Sequence, residues 1–267
     1  IFMVSIVRIF VLSIIILFFS CAEEFVPENP IDPDNPEYIP PIISIVSGPT
    51  EGQTLLTSSI VVEFSGNETS MLFRTKLNNS SWSGWFSSQS VTLDYLDEGD
   101  HLFSVQGRYT TGDTSAVISI GFSVDAVEGP ALLFHPRRHT AATGETVTFQ
   151  VLLEEVYNMT GTEFVLDYNP SKMSIEDVRQ GDLFNTIGTP IFFSEFDLGT
   201  GRLTITSAVW AGDVFGFTGT GVIAEIDVKL LQDGSTTIGF DGSEEMRGPE
   251  NNEIGILQTV GGLLSNP

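Results

Sequence analysis

The segment Glu163-Phe164-Val165-Leu166-Asp167-Tyr168-Asn169-Pro170 decides how the second half of this chain folds. Its side chains alternate, and in an extended strand successive side chains point to opposite sides. Phe164, Leu166 and Tyr168 therefore share one face, which reads as core. Glu163, Val165 and Asp167 share the other, which reads as an accessible face. Proline removes a hydrogen-bond donor and holds the residue before it extended, so Tyr168-Asn169-Pro170 ends the strand.

The same period of two recurs on both sides of that segment. Upstream lie Ala131-Leu132-Leu133-Phe134-His135-Pro136, the turn Ala142-Thr143-Gly144-Glu145 and the alternating run from Thr146 to Leu153. Downstream are the runs 202–208, 221–229 and 235–240, and no long stretch carries a helical period. Residues 131–267 are thus expected to form one β-sandwich with jelly-roll connections. Residues 42–126 break into further short alternating runs, among them 59–64, 71–75, 89–93, 101–106 and 116–124. Turn clusters such as Ser65-Gly66-Asn67 and Asp97-Glu98-Gly99-Asp100 separate them. Six or seven strands in about 85 residues mean a sandwich. The fold class is all-β, with two β-sandwich domains joined through Val127-Glu128-Gly129-Pro130.

The first 41 residues belong to neither sandwich. A short basic start at Arg8, an apolar run from Ile9 to Phe19 and a small residue, Ser20, before Cys21 describe an export signal over residues 1–20, with Met3 as its expected start. Residues 21–41 carry a proline every few positions and read as a Pro/Asp-rich linker, an extended spacer. The acidic cluster Asp32, Asp34, Asn35 within it is interrupted by prolines and lacks the glycine and distal glutamate of a Ca²⁺ loop, so no metal site is assigned.

Composition narrows the function. Acidic residues outnumber basic ones 35 to 11, for a formal net charge of -24. Such a charge repels phosphate backbones, which excludes nucleic acid as a partner. Cys21 is the one cysteine, so neither an intrachain disulfide nor a thiolate zinc site can form. His101, His135 and His139 stand in no metal-binding pair, no serine nucleophile turn is present, and no glycine-rich loop opens a helix. No catalytic residue is assigned, and the chain reads as a non-enzyme. His101, at a corner, reads as a surface residue.

Three resemblances add to this reading. Phe18-Phe19-Ser20-Cys21 resembles the lipobox of bacterial lipoproteins, with Phe18 where leucine is usual. That implies lipid attachment at Cys21 and an exported protein held by its lipid at the outer membrane or cell surface. Residues 42–126 resemble bacterial immunoglobulin-like or fibronectin type III-like domains through Trp82-Ser83-Gly84-Trp85 and the corner Leu96 to His101. Such domains mostly act as spacers, although two exposed indoles could also stack on sugar rings, so a polysaccharide is a possible second partner.

Residues 131–267 resemble a cohesin. The carriers are the opening strand with its Thr143-Gly144-Glu145 turn, Leu152 to Gly161, Glu163 to Pro170, Val178-Arg179-Gln180-Gly181-Asp182-Leu183-Phe184, Gly219 to Ile226 and Ile254-Gly255-Ile256-Leu257. The resemblance implies a protein-binding adaptor that captures a dockerin, a small Ca²⁺-loaded helical module, through one flat face of the sandwich. No cofactor belongs to the cohesin itself; Ca²⁺ would arrive with the dockerin. Glu163 keeps the acidic residue that contacts dockerin in the family, and Val165 and Asp167 share its face. Three positions depart from the family pattern: Asn169 stands for an aspartate, Gly161 for an asparagine, and Ala208 lies near an expected glutamate. The alternative reading is a polysaccharide-binding surface lipoprotein.

Overall fold

Alternating sequences become pleated strands throughout. The computed structural model describes residues 27–197, 199–210 and 215–266, and no α-helix occurs among them. The export signal and Cys21 lie outside the described residues. The first set of strands is β1 (Ile43–Ser47), β2 (Gln53–Leu55), β3 (Ile60–Gly66), β4 (Leu72–Leu77), β5 (Ser90–Leu93), β6 (Gly99–Arg108) and β7 (Ile118–Val124). The second is β8 (Ala131–His135), β9 (Arg138–Thr140), β10 (Thr146–Met159), β11 (Gly161–Tyr168), β12 (Met173–Gln180), β13 (Pro190–Asp197), β14 (Arg202–Val209), β15 (Phe217–Leu230), β16 (Ser235–Phe240), β17 (Glu245–Arg247), β18 (Glu253–Ile254), β19 (Gln258–Val260) and β20 (Gly262–Ser265).

In the first set, a sheet of order β1-β3-β5 faces one of order β2-β7-β6-β4. Val62, Phe64, Phe73, Phe103, Val105 and Phe122, drawn from both sheets, form one buried cluster. The proline-rich segment upstream is more than a spacer. Ile31 and Tyr38 pack against this cluster, and the Tyr109 hydroxyl donates to the Ile39 carbonyl at 2.9 Å.

The second set builds a five-stranded sheet, β12-β15-β10-β8-β19, and a larger one whose main path is β13-β14-β11-β16-β20-β9. The strands at both ends of this unit are split between the layers. β8 and β19 pair in parallel in the first sheet, and β9 and β20 pair in parallel in the second. Phe149, Val151, Ile226 and Val228 from one sheet meet Phe164, Leu166, Leu203 and Ile205 from the other in a single core. At about 25 cal/mol per Å² of apolar surface removed from water, such a layer is the main source of stability.

One short motif shows how closely sequence and packing agree. Gly181 follows β12, and a β-carbon there would lie 2.2 Å from the Val222 carbonyl oxygen, so only glycine fits. Leu183 and Phe184, in the 3-10 turn behind it, are buried in the core. Arg179, in front, binds Asp177, Glu225 and Asp227 on the outside of the sheet.

The two units meet at the turn before β6. Asp97 Oδ1 accepts the Arg137 backbone N–H at 2.6 Å and lies 3.6 Å from His135 Nδ1. Val127, Ala131 and Leu133 form a small buried cluster beside it. His101 is buried here rather than on the surface. Its Nε2–H donates to the Asp97 carbonyl at 2.8 Å, its Nδ1 accepts from the Asn78 amide at 3.1 Å, and its ring stacks on Phe122.

Candidate functional site

The accessible face of β11 belongs to a flat four-strand surface whose rows follow from register. β13 pairs β14, β14 pairs β11, and β17 continues on the far side of β11. Phe193, Thr206, Glu163 and Glu245 stand in one row; Ile191, Ala208, Gly161 and Arg247 form the next. In the other direction come Glu195, Thr204 and Val165, then Asp197, Arg202 and Asp167. Neighbouring strands lie about 4.8 Å apart, which makes the surface about 14 Å wide.

Behind this surface, Phe164 and Leu166 are fully buried and Tyr168 is nearly so. Glu163 and Asp167 are exposed, and Val165 is half-buried between them. Alternation on β11 therefore separates core from surface, and the structure brings Glu163, Val165 and Asp167 together on one side.

Their surroundings differ. Glu163 Oε2 accepts the Thr206 hydroxyl at 2.8 Å and faces a shallow cleft of about 350 Å³. Gly161, Ala208, Arg247 and Glu250 are among the residues that line that cleft. Asp167 instead binds Arg202 at 3.1 Å, and Arg202 also binds Asp241. Burial works against ionisation of Asp241, but the Ser243 hydroxyl and backbone N–H, together with Arg202, outweigh it and hold that carboxyl below its usual range. Arg247 is engaged by Glu245 at 2.7 Å. Both cations of the surface are thus paired, while Glu163 and Glu195 make no ion pair among the described residues.

One flank of the surface is apolar. Ile191 and Phe193 on β13 are exposed, and Trp210, just past β14, is 80% exposed. Sequence reasoning did not single out these three. β13 reads Ile-Phe-Phe-Ser-Glu-Phe, apolar at both parities, so alternation alone does not say which phenyl rings face out. Pairing with β14 decides it.

The residues 136–260, which supply this surface, match the family model described as "Cohesin domain". That segment is a cohesin domain. Solved structures similar to it include a type II cohesin from Bacteroides cellulosolvens, 17% identical, covering 51% of this chain and 99% of that one at a TM-score of 0.46. A non-cellulosomal cohesin from the hyperthermophilic archaeon Archaeoglobus fulgidus is 16% identical and covers 51% of this chain and 90% of its own, with a TM-score of 0.43. A type I cohesin–dockerin complex from Clostridium thermocellum matches at 15% identity over 50% of this chain and 90% of that chain, TM-score 0.43. No curated protein matches the chain.

Outside the cohesin domain, Trp82 and Trp85 lie beside β4, half-buried, and cations cover both rings. Arg74 stands 4.7 Å from each ring centroid, Lys76 5.3 Å from that of Trp82 and Arg108 4.5 Å from that of Trp85. Two cations thus lie over each indole. Among the described residues, no three His, Cys, Asp or Glu side chains gather as a metal site, and no helix is long and apolar enough to cross a membrane.

Proposed function

We propose that this chain is a surface-anchored adaptor whose cohesin domain captures a dockerin-bearing secreted protein through the β13-β14-β11-β17 face. The observation that carries this reading is the division of β11 itself. One side completes the core, and the other offers Glu163, Val165 and Asp167 on a surface over which no element packs among the described residues. Carboxylates at Glu163 and Glu195 that make no ion pair among the described residues, beside exposed Ile191, Phe193 and Trp210, suit a partner that brings basic and apolar side chains together. Charge complementarity of this kind sets encounter rate and register, while the apolar flank supplies affinity.

The first sandwich serves as a spacer in this reading, and lipid on Cys21 holds the protein at the membrane. Ca²⁺ enters only with the partner. Titration calorimetry of the full chain against a Ca²⁺-loaded dockerin from the same organism tests the adaptor role. Saturable heat that Glu163→Lys weakens supports it. Absence of heat with every such dockerin overturns it.

A further inference from the structure

We propose that the first sandwich carries a binding strip for an anionic polysaccharide, formed by Arg74, Lys76 and Arg108 interleaved with Trp82 and Trp85. On β4, Phe73 and Thr75 point into the core, so Arg74 and Lys76 point out; Gln106 and Arg108 do the same on β6. The order along the strip is Lys76, Trp82, Arg74, Trp85, Arg108, each cation within 5.3 Å of an indole centroid.

The strip is held in place by its own backbone. Ser83 donates its N–H to the Thr75 carbonyl at 2.9 Å and accepts the Thr75 N–H at its hydroxyl, while Phe73 and Phe86 exchange two backbone hydrogen bonds. These contacts lay the segment with both tryptophans against the edge of β4. Gln106 Oε1 accepts two bonds from Arg74, at 3.0 and 2.6 Å, and fixes its plane. A guanidinium stacked on a ring donates through its edges, so Arg74 and Arg108 keep N–H groups for a ligand.

Charge distribution identifies the ligand class. Arg74, Lys76 and Arg108 are all the lysines and arginines of residues 42–126. In a chain of charge -24, no acidic residue occurs between Glu68 and Asp94 or between Asp100 and Asp113, the stretches that build the strip. Arg138, Arg179, Arg202 and Arg247 each have a carboxylate within 4.0 Å; these three cations, like Arg137, Lys172 and Lys229, have none among the described residues, but only these three stand together in one row. A brace that merely stiffened the sheet would gain from flanking carboxylates. A surface cleared of them is suited to an anion from outside.

The shape of the strip selects among anions. It is a single row, Arg74 and Lys76 standing about 7 Å apart along the strand. A membrane or a nucleic acid duplex presents charge over a wide area, against which the rest of this acidic chain is repelled. A linear glycan with acid groups at intervals fits a row. Asn79, Ser80, Ser81, Ser87 and Ser88 rim it with exposed groups for sugar hydroxyls. This site is independent of the cohesin face.

Affinity electrophoresis of the full chain tests the proposal, with polygalacturonate, dextran sulfate, neutral dextran or polyglutamate in the gel. Retardation by polygalacturonate or dextran sulfate, relieved by salt and absent with neutral dextran, is expected, and the retarding polymer identifies the acid group. Lys76→Gln with Arg108→Gln should weaken retardation roughly tenfold, as loss of contact charges does. Lys76→Gln alone keeps every arginine–indole contact and should weaken it in part with an unchanged melting temperature. No retardation of the parent protein by either glycan, or equal retardation of parent and both variants, overturns the proposal. Stronger retardation by polyglutamate also overturns it, in favour of an acidic peptide.

Discussion

Gly161 and Ala208 stand directly opposite one another on β11 and β14, and a β-carbon at position 161 would lie 3.3 Å from that of Ala208. Two larger polar side chains would crowd this pair, whereas two small ones leave a cleft beside Glu163. Both positions are those where the family resemblance led us to expect asparagine and glutamate. The departures are therefore structurally coupled, and they alter the shape of the face rather than its fold. Ala208→Leu should fill the cleft and weaken capture of the dockerin-bearing partner roughly tenfold, the effect of disturbed packing at an interface centre. Its melting temperature should stay within a few degrees of the parent, since the added atoms lie outside the core. Unchanged affinity in calorimetry would place the partner's footprint elsewhere.

Stability and binding should separate along β11. Leu166 is fully buried, and Leu166→Ala should cost about 2–5 kcal/mol in chemical denaturation, the usual range for a large-to-small core change. Glu163→Lys removes only an exposed hydrogen bond with Thr206, so its denaturation midpoint should hardly move while partner affinity falls. Asp167→Lys is less clean, because it sets a second cation against Arg202. A large loss of stability in Glu163→Lys would contradict the division of the strand.

What alternation could and could not reveal is visible in two neighbouring strands. On β11 the polar and apolar residues fall on opposite parities, so the buried side of Phe164, Leu166 and Tyr168 was legible. On β13 Ile191, Phe192, Phe193 and Phe196 occupy both parities, and only hydrogen-bonded register shows which of them face out. The carboxylate–arginine pairing of Asp167 and the cation ladder on Trp82 and Trp85 were equally hidden, because they join residues from separate strands and loops. His101 shows the same limit. Nothing local in the sequence says that Asn78 and the Asp97 carbonyl would meet both its ring nitrogens in a buried position.

Anchoring is tested by Cys21→Ser. If lipid is attached at Cys21, the parent chain expressed in its host should partition into the detergent phase, and the variant should stay unprocessed or enter the aqueous phase. Identical partitioning and processing of the two would remove the anchor from the proposed function.

Arg179 bridges three carboxylates, at 2.7 Å from Asp177, 2.6 Å from Asp227 and 3.4 Å from Glu225. Its guanidinium, aided by the Thr148 hydroxyl, holds the Asp227 carboxyl at a pKa of about 2. A carboxyl so depressed contributes stability above its unfolded pKa, and that contribution is lost as pH falls through the folded value. Arg179→Gln should therefore melt at a lower temperature than the parent at pH 7, with the gap narrowing as pH falls toward about 2. A gap independent of pH would mean that Arg179 acts through packing alone.

The junction between the sandwiches should respond to pH through His135 and Asp97. Contact with the Asp97 carboxylate raises the His135 pKa, against the opposing effect of burial. For Asp97 itself, burial pushes upward, but His135 and the Arg137 backbone N–H outweigh it, so its pKa lies below the usual value. His101 and His139 also lie near; the pKa of His139 is lowered by burial, and its Nε2–H donates to the Thr148 carbonyl. The raised histidine contributes fully below its unfolded pKa, and that contribution is lost as pH rises through the folded value. The depressed aspartate contributes above its unfolded pKa and loses that contribution as pH falls. Both conditions hold between about pH 4 and 6.5. Calorimetric melts of the full chain and of His135→Asn should differ most near the middle of that window and converge as pH rises through the raised His135 value or falls through the lowered Asp97 value. A constant difference across that range would show that the pair carries no charge-dependent stability at the junction.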